Sequence, residues 1–312
     1  QILTSTMMSR VVLTACLYFC VVTASFNDGA PSGNYETYVF ALEWQPQWSQ
    51  PPECFPTLAQ HLSPDTFAAT HISVHGLWPN YDPTLHDGQS WPQFCVRPDG
   101  ETFTDCEADY SSQPYCTPSG AYDVFNTSIG WQTYALEYAW SDLASHEWSK
   151  HGSCTNWSDT EYFAQVEAMF LKMSLGAGAR FLQVNVGNTV SKADLTAAFE
   201  QDTGGKKVVF NCDGSCNLSE VWIEWAADPS TLEPTTAIDY GDDEPCLASC
   251  EELTVLAWTT DGTCPDTPAP LPNNATTCEP NEHGPVCPKG DRDCRLVPGC
   301  TRCASSGYCT DM

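Results

Sequence analysis

His146-Glu147-Trp148-Ser149-Lys150-His151-Gly152-Ser153-Cys154 is the stretch from which the rest of the sequence is best read. It places two imidazoles, a carboxylate and an ammonium within six residues. Wound as an α-helix at about 100° per residue, His146, Lys150, Glu147 and His151 share one arc of about 140°. Trp148 and Ser149 then point the other way. Gly152 reads as a helix stop, and Cys154 offers a covalent tether. Such a segment aims four charged or proton-handling groups into one cleft while a tryptophan anchors its back. A solvated helix face carrying His and Lys would read the same way taken alone. Zinc is set aside, because a zincin helix needs its second His at i+4. Here it comes at i+5, and a lysine stands at position 150. The third reading is metal-free acid–base chemistry on an anionic substrate, and it needs a partner.

The partner lies upstream. Phe67 to Val74 has strand-like β-branched content, and His75-Gly76-Leu77-Trp78-Pro79-Asn80 follows it. A histidine at a strand end, then glycine and an aromatic, suits an active-site edge. Alone it reads equally as a core or surface histidine. Together the two segments resemble the two active-site segments of the ribonuclease T2 family, acid endoribonucleases that need no metal. His-Gly-Leu-Trp-Pro, then His-Glu-Trp-x-Lys-His-Gly-Ser-Cys, carries the resemblance, which covers roughly residues 36–258. It implies an α+β fold with a central antiparallel β-sheet packed with helices.

The resemblance also assigns roles. RNA supplies its own nucleophile, the 2′-hydroxyl. Cleavage then needs a base for that proton, an acid for the leaving 5′-oxygen and cations for the phosphorane. His151 is implied as the base and His75 as the acid, with His146, Glu147 and Lys150 holding and polarising the phosphate. The expected products are a 2′,3′-cyclic phosphate and then a 3′-phosphate, with no cofactor and no metal. Trp78 and Trp91 are candidates for stacking a base, and core packing is the alternative for each. Asn80 occupies a position that is Asp in some family members, where it contacts the base edge. The resemblance further implies a Cys95–Cys154 disulfide joining the two catalytic segments. Single-stranded RNA is the expected partner. DNA, lacking the 2′-hydroxyl, is not, and a monomer is expected. His71 and His86 match no catalytic position and read as structural or solvated.

Charge narrows the class. Lys and Arg total 12 against 40 Asp and Glu, a formal net charge of −28. A stoichiometric RNA-binding module needs a basic stripe, because its affinity comes from phosphate neutralisation. This composition argues against that class and leaves room for an enzyme with one local cationic pocket. It also suits an acidic compartment, with an expected pH optimum of about 4–6.

Residues 1–24 read as a signal peptide preceded by leader residues, with Met7 or Met8 as initiator and Arg10 as the positive end. Val11 to Val22 is too short to span a bilayer, and no membrane association is expected. Export to the exterior, or to a vacuole or lysosome, follows. Of the 18 cysteines, Cys16 and Cys20 leave with the leader, and the even remainder reads as disulfides. Glycosylation sequons begin at Asn126, Asn156, Asn217 and Asn274.

Along the chain, residues 26–37 read as a loose N-terminus. Tyr38 to Trp44 is a strand with Tyr38, Phe40, Leu42 and Trp44 on one face. Tyr81 to Cys95 and residues 96–129 read as loops, with a weaker Cys106–Cys116 pairing by proximity. Helices are expected over 130–150, 161–174 and from a capping box at Ser191. Lys207 to Asn211 and Leu218 to Trp225 make a strand pair around Cys212 and Cys216, with a bridge from Cys212 to Cys246 or Cys250. Glu252 to Trp258 reads as a last strand. The catalytic domain thus spans 26–258, and 259–277 is a Pro-rich linker. Six cysteines in 278–312 imply a small disulfide-rich module. That tail opens a second reading: a binding or storage protein acting through the module, its nuclease secondary and its partner unnamed.

Overall fold

A computed structural model gives the fold. It describes residues 26–50, 62–82, 84–103, 143–241, 246 and 249–259. Trp131, Tyr134, Ala135, Leu136 and Tyr138 are also described, as are the strand residues 302–303 and 309–310. The leader, the linker, most of the Cys-rich tail, Cys54, the Cys106–Cys116 pairing and the sequons at Asn126 and Asn274 lie outside the described residues.

In chain order come β1 (Phe26–Asp28), β2 (Thr37–Glu43), β3 (Ser73–Asn80) and β4 (Trp91–Gln93). Helix α1 (Leu143–His146) runs into a π turn over Glu147–His151 and a 3-10 turn over Gly152–Cys154. Then follow α2 (Asp159–Ser174), α3 (Ala177–Val184), β5 (Thr189–Ser191) and α4 (Lys192–Thr203). Strands β6 (Val209–Cys212), β7 (Leu218–Ala227), β8 (Pro234–Ala237) and β9 (Glu252–Thr254) complete the body. In the tail, Arg302–Cys303 pairs antiparallel with Cys309–Thr310.

The main sheet is antiparallel, in the order β3-β2-β7-β6, with β8 also on β7. Alternation along β2 sends Tyr38, Phe40 and Leu42 into one core, each fully buried. Helix α2 closes that core with Tyr162, Phe163, Val166, Met169, Phe170 and Met173, the i, i+3, i+4 pattern of an amphipathic helix. Its start is fixed by a capping box in which Ser158 and Glu161 satisfy each other's backbone N–H. Helix α4 is capped by Ser191 and stops at Gly204, whose φ of 73° favours glycine.

The register of β3 decides where the first motif points. Leu42 pairs with Val74 and Ala41 with Gly76, so His75 is the extra residue of a β-bulge. A bulge shifts the side-chain alternation by one position. Ile72 and Val74 before it and Leu77 after it therefore all reach the core. Pro79 is tolerated because β3 is an edge of this sheet.

Several expectations change. The strand carrying His75 starts at Ser73 rather than Phe67, because Phe67–Ala69 is a 3-10 turn, and His75 lies within the strand rather than at its end. The segment to Lys150 is not one α-helix, since its last turns widen into the π turn. Residues 26–28 are not loose, because β1 pairs in parallel with β4 inside the expected loop. Strand β9 ends at Thr254 and pairs with β5, outside the main sheet.

Disulfides join Cys95 to Cys154, Cys212 to Cys246 and Cys216 to Cys250. The first closes a sequence separation of 59, which contributes about 4 kcal/mol in the chain-entropy view. Around it, the Cys95 N–H donates to Ser153 Oγ and the Phe94 N–H to the Lys150 carbonyl. Strand β4 is thereby sewn to the π turn. Among the described residues no helix is long and apolar enough to cross a membrane.

Candidate active site

The π turn brings the second motif onto the first. A π turn closes i to i+5, so His151 comes round over His146, with ring centroids 5.9 Å apart. The α-helical reading had put these two at opposite ends of their shared arc of about 140°. Trp148 is buried behind the turn, with the Arg97 guanidinium 5.4 Å from its ring centroid. A Cβ at Gly152 would run into the Trp148 ring, so glycine is required there for space.

Glu147 is fully buried and lies over Gly76. A Cβ at Gly76 would overlap its carboxylate, which explains the glycine after His75. Glu147 Oε2 accepts from Trp78 Nε1 at 2.8 Å. The Trp78 ring stacks on His151, centroids 5.2 Å apart and planes 25° from parallel, and meets His75 edge-on at 5.1 Å. One indole therefore links the carboxylate and both imidazoles.

His75 sits between two carboxylates. Its Nδ1 is 2.5 Å from Glu220 Oε1 on β7, and its Nε2 is 3.4 Å from Glu147 Oε1. The His75 carbonyl accepts from Tyr138 Oη and the Leu77 carbonyl from Tyr162 Oη, which anchors the strand on both sides of the bulge.

These surroundings move the two imidazoles in opposite directions. Burial alone would discharge His75. The Glu220 charge and hydrogen bond, then Glu147 and Glu43, outweigh it and raise the pKa to about 10. His151 is pushed well below its ordinary value by burial, then by the charges of Lys150, His146 and His75. Burial raises the Glu147 carboxyl, with His75, His146, the Trp78 hydrogen bond and Lys150 opposing. For Glu220 burial also acts upward, but His75, Asn211 and Trp222 overcome it and hold the carboxyl low. Two imidazoles against one indole are thus displaced in opposite directions, the arrangement that suits an acid paired with a base.

His75, Trp78, His146, Glu147, Lys150 and His151 thus form one cluster. Asn80 ends β3, its carbonyl accepting from the Glu36 N–H, and Trp91 opens β4 with its Nε1 donating to Gln93 Oε1; the hydrogen bonds and ring contacts that hold this cluster together include neither. His71 faces Thr70 and the Phe67 carbonyl, and His86 pairs with Glu36 and stacks on Tyr81. Both are structural. His146, Glu147 and His151 each offer a ligand atom within 4.8 Å of the others. The spacing argument against a metal therefore falls, since the π turn gathers what an α-helix would separate. Lys150 still adds a cation beside these groups, which opposes a second one.

With that geometry in place, sequence comparison is decisive. The ribonuclease T2 family profile matches residues 35–250. The chain belongs to the ribonuclease T2 family. It is 26% identical to Ribonuclease I of Escherichia coli over 223 residues, covering 63% of this chain and 77% of that one. It is 21% identical to Ribonuclease DdI of Dictyostelium discoideum over 235 residues, covering 69% and 92%. Among solved structures, RNase NT in complex with 5′-AMP aligns with TM-score 0.46 and 21% identity, over 71% of this chain and 98% of that one. This T2 ribonuclease is thus an enzyme cleaving RNA internally.

Reasoning from the two motifs alone passes over Glu220. It lies 69 residues beyond His151 in sequence, on a strand that registers β2 between it and β3. Its one local signal is a glutamate on an otherwise apolar run, and Glu224 carries the same signal for another purpose. Glu224 accepts from Thr37 Oγ1 and the Gly241 N–H.

Proposed function

We propose that this T2 ribonuclease cleaves single-stranded RNA without a metal, by transphosphorylation to a 2′,3′-cyclic phosphate and then hydrolysis to a 3′-phosphate. The observation that carries the reading is the opposite displacement of two imidazoles that share one tryptophan. His151, neutral, takes the 2′-hydroxyl proton. His75, charged, gives its Nε2 proton to the leaving 5′-oxygen. Lys150 sets positive charge beside the phosphorane, where a fixed cation stabilises developing charge without a proton step, and His146 helps to hold the phosphate. Glu147 holds both His75 and Trp78 in place. In hydrolysis of the cyclic phosphate the two histidines exchange roles.

Trp78 acts here as a positioning residue, because one ring face and its N–H are already engaged by His151 and Glu147. Base stacking falls to Trp91, with Asn80 presenting amide donors and an acceptor to a base edge. The catalytic unit spans 26–258, with a Pro-rich linker at 259–277 and a Cys-rich module at 278–312. The protein is exported as a monomer, to the exterior or to a vacuole or lysosome. Its sequon Asn156 is exposed, which suits a glycan. Asn217 donates Nδ2 to Asp213 and is the poorer acceptor.

The test is cleavage of a homopolymer RNA and its DNA counterpart in the presence of EDTA, by the full-length protein. RNA is expected to yield cyclic phosphate ends and DNA to stay intact. Loss of activity with EDTA, or cleavage of both polymers, would sink the proposal.

A further inference from the structure

The buried charge on β7 has a use that neither motif accounts for. Glu220 is 4% exposed. Its Oε1 meets Nδ1 of His75 at 2.5 Å. Its Oε2 accepts from Asn211 Nδ2 and Trp222 Nε1, each at 3.0 Å. Both oxygens are held, so the carboxylate cannot turn away from the ring. Three donors around a buried carboxylate also favour its ionised form. The bulge at His75 is what allows the meeting, since it sets the ring out of the ordinary alternation of β3.

We propose that Glu220 is the positioning residue of the acid histidine: it binds His75 through Nδ1–H, so that Nε2–H, on the Glu147 side, is the proton given to the leaving oxygen, and it sustains the positive ring until that oxygen takes the proton. This rests on the reading of His75 as the acid. The protons balance. The 2′-oxygen bonds to phosphorus and its proton goes to His151. The bond from phosphorus to the 5′-oxygen breaks, and the Nε2 proton of His75 goes to that oxygen. The ring left behind is neutral and keeps its Nδ1–H on Glu220. An orienting carboxylate behind an acid–base imidazole is the logic of a catalytic triad applied to a proton donor.

Other titratable groups also face His75: Glu147 from the π turn, Glu43 from β2, and His151 across the Trp78 ring. Glu147 faces Nε2, the atom that must release its proton to substrate. Glu220 faces the opposite nitrogen, so it can hold the ring throughout the cycle.

The test compares the unaltered protein, Glu220→Gln and His75→Ala on two substrates. One is a dinucleotide, whose alkoxide leaving group needs an acid. The other is a nucleoside 3′-(4-nitrophenyl phosphate), whose leaving group departs without a proton. Glu220→Gln is expected to lower kcat on the dinucleotide at least about tenfold, with KM little changed, against less than about threefold on the nitrophenyl ester. Its alkaline limb should move to lower pH. His75→Ala should show the same selectivity more strongly. In the unaltered protein, 15N NMR should find the His75 ring still charged above about pH 8. Equal losses on both substrates, an unmoved alkaline limb, or a His75 titrating near its ordinary value of about 6.5 would overturn the proposal. If His75→Ala is impaired and Glu220→Gln is not, the fault lies with Glu220 alone. If His75→Ala cleaves the dinucleotide normally, the acid assignment itself fails. Should Glu220→Gln not fold, the titration of the unaltered protein decides.

Discussion

His75 and His151 are the same side chain in two opposed settings. His75 stands on an edge strand of the sheet, with Glu220 on one nitrogen and Glu147 near the other. His151 is buried in the π turn, against Trp78 and beside Lys150 and His146. Carboxylates raise the pKa of the first, and burial, then the charges of Lys150, His146 and His75, lower that of the second. The lesson is that residue type supplies the imidazoles, while the neighbours displace their pKa values in opposite directions.

The same contrast revises the pH expectation. Imidazoles of ordinary pKa would make a narrow bell near about 6.5. With His151 lowered and His75 raised to about 10, the proposed acid–base step should have a broad plateau. An acidic optimum then has to come from substrate binding, because a chain of net charge −28 repels RNA more as its carboxylates ionise.

The largest test removes each ring. His75→Ala and His151→Ala should each lower kcat at least about 10²-fold. The two should differ in shape: His75→Ala loses the alkaline limb and His151→Ala the acid limb. Initial rates across pH on both variants check this, and identical profiles would erase the distinction.

Gly76→Ala comes next. Its methyl group would strike the Glu147 carboxylate and the Trp78 indole. Overpacking of this kind typically destabilises by about 1–3 kcal/mol, and both imidazoles should be displaced together. Thermal unfolding beside kcat would show it; a fully active, equally stable variant would mean that Glu147 is free to move aside.

Trp78→Phe should keep an aromatic face for His151 but leave a Glu147 oxygen without its donor. An orphaned buried acceptor destabilises by about 1–3 kcal/mol. Activity should fall less than in either histidine variant, since no proton-transfer group is lost. A loss as great as that of His151→Ala would instead place Trp78 on the substrate.

A smaller effect sharpens the comparison through stability. His75 has a folded pKa above its unfolded value, so its stabilising contribution is complete below about 6.5. That contribution disappears as pH rises through about 10. Glu220 is shifted the other way, so its contribution is present above the ordinary carboxylate range and lost as pH falls below it. The melting-temperature gap between the unaltered protein and His75→Gln should therefore be widest in mildly acidic solution and shrink towards pH 10. A gap that does not vary with pH would deny the charge on His75.

The smallest expected change is with salt. Screening shortens the reach of the acidic surface to about 10 Å at 0.1 M. Modest salt should therefore move the optimum towards neutral pH. An optimum indifferent to salt would remove surface charge from the explanation.

Much was legible before folding. The alternation Tyr38, Phe40, Leu42 announced a one-sided strand, and Ser191 marked the start of a helix. The two motifs named the family and five polar site residues, because those depend on residue type and local order. The π turn was not legible, since hydrogen bonds closing i to i+4 and i to i+5 demand no different residues in this stretch. The bulge at His75 was hidden too, because it is a property of β3 paired with β2 and not of β3 alone.

The sequence by itself determined the chemical inventory: three imidazoles, a lysine, a glutamate and two tryptophans in two short runs, on a chain of strongly negative charge. Only the tertiary structure decided how they divide the work. Glu220 reaches His75 across a strand pairing, and Trp78 joins Glu147 to His151 across a turn. A pKa is set by charge and burial within a few ångströms, and those neighbours come from distant parts of the chain.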